Sequence, residues 1–68
     1  MKALQFEIVV EGPLAPQWSD WFEGMTITPK PDGRTSLVGK VADQAALFGL
    51  LGKVRDLGLM LVSVNSTR

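Results

Sequence analysis

The chain holds no cysteine and no histidine. Without cysteine, no disulfide can tie a short chain together. Without either residue, the usual zinc ligands are gone, and a transition-metal site would depend on carboxylates that are scattered here. Catalysis loses its commonest parts as well. A hydrolase would need Ser or Thr activated by Lys, or a carboxylate pair, and no spacing puts such groups together on one element. Charge of one sign is also missing: seven Lys and Arg balance seven Asp and Glu, so no net field draws in phosphate backbones or an anionic membrane. No apolar run is long enough for a signal peptide or a membrane span. These absences lead to the expectation of a cytoplasmic, non-enzymatic protein with no cofactor or metal, binding neither nucleic acid nor membrane.

What is present is enough for one domain, residues 1–68, with one core. A chain of this size buries only about 60% of its unfolded surface, so its stability margin is thin. With disulfides and metals excluded, self-association is the supplement that remains.

Leu4, Phe6, Ile8 and Val10 alternate with Gln5, Glu7 and Glu11, which predicts a first strand with one buried face. Gly12-Pro13 breaks it. Leu14, Trp18, Trp21 and Phe22 then recur at helical spacing around Pro16, predicting a short helix over 15–23 with Trp18 and Phe22 in the core and Trp21 partly exposed. Met25 to Thr28 and Thr35 to Val41 read as a hairpin joined through Asp32-Gly33. Asp43 suits a helix N-cap, Leu47, Leu50, Leu51, Val54 and Leu57 form a stripe at a period of about 3.6 residues, and Gly58 suits the C-terminal stop. Leu59 to Val64 is a final strand, apolar except for Ser63. The resulting order, β-α-β-β-α-β, predicts an α+β, ferredoxin-like two-layer sandwich whose antiparallel sheet has strand order 4-1-3-2.

Candidate chemistry is sparse. Glu7 and Glu11 share a strand face but stand too far apart to share a proton. Gly49, Gly52 and Gly58 lie in or at the end of a helix, the wrong context for a phosphate loop. The back of the second helix is more informative, because Ala45, Gly49 and Gly52 lie opposite the Leu stripe with Phe48 on the flank. Internal glycines cost about 1 kcal/mol each relative to Ala. They suit close approach of a partner, with Phe48 as anchor. The apolar final strand supplies a second surface, Met60, Val62 and Val64, suited to pairing with another chain. The expected function is an interaction module that forms a homodimer and binds a protein partner. The alternative is a ligand-binding regulatory domain with its site at a subunit interface, near the Gly12-Pro13 or Gly39 loops.

The stretch Gly39 to Leu59 resembles the C-terminal half of a group of small uncharacterised bacterial proteins that share a phrase close to "DQAALHGLL…IRDLGL". Asp43-Gln44-Ala45-Ala46-Leu47 and Arg55-Asp56-Leu57-Gly58-Leu59 match it, while Phe48 stands in the histidine position. The resemblance implies a stand-alone domain of bacterial origin and carries over no activity.

Overall fold

A computed structural model describes residues 4–67. The chain forms β1 (Leu4–Glu11), a 3₁₀ turn η1 (Pro16–Asp20), β2 (Thr26–Pro29), β3 (Arg34–Val41), helix α1 (Gln44–Asp56) and β4 (Met60–Ser66). The four strands make one antiparallel sheet in the order β2-β3-β1-β4.

The expected ferredoxin-like β-α-β-β-α-β sandwich is corrected by the helix count. Among the described residues there is a single α-helix, so the regular elements read β-β-β-α-β. Residues 12–25 cross the sheet as loop and η1, which begins at Pro16 after an extended Ala15 that offers no side-chain cap. An uncapped segment this short, rich in aromatics, does not recover the cost of nucleating an α-helix. The tighter coil also changes which aromatic goes inside. At about three residues per turn, Trp18 and Trp21 eclipse each other. Both face outward, Trp18 at 40% exposure, while Phe22 is fully buried. Trp18 was expected in the core and is not there.

The core lies between α1 and one sheet face. Ile8 and Val10 pair with Leu37 and Thr35 in β3, and these meet Leu14, Phe22, Met25, Ile27, Val41, Leu47, Leu50 and Val54. Gly39 is not in a loop. It pairs with Phe6 inside β3, and a β-carbon there would come within 3.0–3.3 Å of Met25. The absent side chain is what lets Met25 close the core. Buried Thr35 satisfies its hydroxyl by donating to the Gly12 carbonyl at 2.8 Å, which fixes the exit of β1.

The α1 boundaries follow from their caps. Asp43 accepts from the Ala46 amide at 2.8 Å, and Gly58, at φ 74°, ends the helix while the Leu59 amide donates back to the Val54 carbonyl at 3.1 Å. This turn delivers the chain directly into β4.

Candidate surface at the β4 edge

β4 lies at one edge of the sheet, hydrogen-bonded to β1 alone. Val64 pairs with Ile8 and packs against the core, and Ser63 pairs with Val9. The register then shifts: Val10 pairs with Leu61, leaving Val62 as the extra residue of a bulge. N-terminal to that point, Met60 is 69% exposed, and Leu61 and Val62 are also exposed. Leu61 lies opposite Val10 on the core side of the sheet yet stays exposed at the edge; alternation from Leu59 assigns it inward, so the sequence did not single it out.

The other edge, β2, is built differently. It has four residues and ends in Pro29, which has no N–H to offer a neighbouring strand. β4 has seven residues, Met-Leu-Val-Ser-Val-Asn-Ser, without charge or proline.

The outward side of α1 carries the remaining candidates. Ala45, Phe48 and Gly49 are exposed, Phe48 at 60%, and Gly52 is half-buried. A β-carbon at Gly49 would meet nothing within 4 Å, and one at Gly52 would meet only the Arg55 guanidinium at 3.8 Å. Neither glycine is required by packing inside the domain. Lys53 reaches toward Trp21 and Glu23 on the η1 side. Helical spacing of about 100° per residue puts Phe48 on the opposite flank of α1 from Lys53. Met60 and Val62 are thus exposed on β4, Ala45, Phe48 and Gly49 are exposed on α1, and Val64 turns inward.

The sheet face away from α1 carries Val9 and Val38 among polar and charged side chains. Ser36 donates to Glu7 at 2.7 Å, Lys30 lies 3.7 Å from the same carboxylate, and Arg34 pairs with Glu11 at 3.0 Å. Each acid is matched to its own cation, so the two do not form a proton-sharing pair. Among the described residues there is no pocket and no group of three or more acidic residues placed to hold a metal ion. No helix among them is long and apolar enough to cross a membrane.

The family model described as "Domain of unknown function (DUF8691)" matches residues 5–65. No curated protein and no solved structure matches the chain.

Proposed function

The chain belongs to that family, and from this premise we propose that it is a small interaction module that self-associates through the free edge of β4. The contrast between the two sheet edges carries the reading. Natural sheets guard exposed edges with short strands, proline, charge or a bulge. β2 uses shortness and proline, whereas β4 has only the bulge at Val62 and presents exposed Met60, Leu61 and Val62 beside it.

A second copy added antiparallel to β4 pairs the free backbone N–H and C=O groups and covers these side chains. Such a contact is two-fold and uses the same patch on both chains, so it needs no opposite charge. An uncharged strand on a chain of zero net charge offers no repulsion to its own copy. Dimerisation would also extend a core that is thin at this chain length. A protein partner would use the same edge.

Leu61→Lys places a charge on this edge and is expected to weaken dimerisation about tenfold or more, or about 1.4 kcal/mol, as read by sedimentation equilibrium. Thr28→Lys on the β2 edge serves as the control and leaves the association unchanged. Equal mass distributions for wild type and both variants would contradict the assignment to β4. Gly49→Glu tests the helix back separately: unaltered association removes Gly49 and its neighbours from the interface.

A further inference from the structure

Opposed residues in an antiparallel ladder alternate between pairs that exchange N–H···O bonds and pairs that do not. The Thr67 amide donates to the Gln5 carbonyl at 2.8 Å. Bonded pairs therefore follow at every second residue, Glu7 with Asn65 and Val9 with Ser63. The far side of the sheet agrees. The Lys30 amide donates to the Arg34 carbonyl at 2.7 Å, so Arg34 turns its groups to β2, and Thr35, Leu37 and Gly39 turn theirs to Val10, Ile8 and Phe6. Glu7 and Val9 are left facing β4. Ser63 and Asn65 thus direct their backbone groups to β1, whereas those of Val64 and Ser66 point to the free side. Beyond the bulge, the same alternation along β1 makes Glu11 and Met60 a bonded pair, so Leu61 and Val62 together fill one free-side place between Met60 and Ser63.

Ser63 is the one polar residue between Leu59 and Val64, and it is the middle residue of β4, Met60–Ser66. Two copies of a strand that meet about a two-fold axis overlap along their whole length only if the middle residue meets itself. That register sets Ser63 against Ser63, and Val62 against Val64 of the second copy. The backbone parity fits it. Val62 and Val64 carry free-side groups and exchange bonds, while Ser63 falls in the closer, non-bonded kind of pair. An axis at Val64 would instead leave Met60 and Leu61 outside the overlap. A serine hydroxyl both donates and accepts, so two copies of it satisfy each other across the axis. Val64 already packs against the core and Val62 is exposed, so each Val62 is covered by Val64 of the second copy.

We propose that Ser63 lies on the two-fold axis of a dimer formed by β4 and β4 of a second copy, and that it sets the register of the seam. The inference rests on the reading of β4 as the self-associating edge. It adds the position of the axis and gives a role to the polar residue that interrupts the apolar strand.

Single cysteines test the register in a chain that has none of its own. In Ser63→Cys the two thiols face each other at a Cα separation of about 4.5 Å, within disulfide range. In Leu61→Cys and Asn65→Cys the two copies of the cysteine stand four residues apart along the seam, or about 13 Å. With oxidised glutathione, at a concentration where the wild-type chain sediments as a dimer, Ser63→Cys is expected to form the covalent dimer about tenfold faster than either control. Faster cross-linking at Leu61 or Asn65 would overturn the register while leaving β4 as the interface. No cross-link at any of the three positions in a chain that sediments as a dimer would remove β4 from the interface, and a chain that stays monomeric would remove the dimer. Either result overturns the β4 reading and the register with it. Ser63→Asp gives an independent readout. Carboxylates facing across the axis are expected to weaken association about tenfold at neutral pH, with recovery as the pH falls through the carboxyl range. A loss that does not change with pH would contradict the placement of Ser63 against its own copy.

Discussion

Two glycines show how the same residue type has opposite consequences at different places. At Gly39 a β-carbon would press on the backbone and side chain of Met25 at 3.0–3.3 Å. Neither β3 nor the fully packed Met25 can yield freely. Gly39→Ala is expected to destabilise the domain by about 1–3 kcal/mol, as overpacking does, measured by urea unfolding. At Gly49 the position is open and helical, so Gly49→Ala is expected to stabilise by up to about 1 kcal/mol. The sequence singled out Gly49 and Gly52 because glycine inside a helix is unfavourable. It gave no sign that Gly39 matters more, since the neighbour that fills its space, Met25, is distant along the chain and comes close only when β3 and the crossing segment meet.

Among the elements, β1, β3 and α1 were legible because each is specified locally: alternation for the strands, and for the helix a capping Asp43, a Leu stripe and a Gly58 stop. The crossing segment was not. Its aromatic spacing suits an α-helix and a 3₁₀ turn equally, and the choice is made by the missing cap, the short length and the fastening to Lys53. That fastening carries a pH dependence. The hydrogen bond from Lys53, and then its charge, hold the Glu23 carboxyl below its ordinary value of 4.5. A carboxyl whose pKa is depressed on folding contributes stability above its unfolded value, and this is lost as the pH falls through the folded one. The Tm difference between wild type and Lys53→Met is therefore expected to be largest near neutral pH and to shrink on acidification to about pH 3. A difference that stays constant over that range would exclude the ion pair as its source.

For the whole molecule, the candidate surface was half legible. The apolar final strand stood out in the sequence, as did Met60, Val62 and Phe48, but the partition of β4 into an inward Val64 and an exposed Met60–Val62 depends on the bulge opposite Val10. The sequence suggested that the apolar final strand would pair with another chain. β4 lies at the sheet edge with its outer side unpaired by the other strands. That placement makes strand addition by a second copy the central proposal. Sedimentation equilibrium of the wild-type chain from low to high micromolar concentration tests it most directly. The expected result is a rise in mass from the 7.4 kDa of one chain toward twice that value, and a single 7.4 kDa species at every concentration would contradict it.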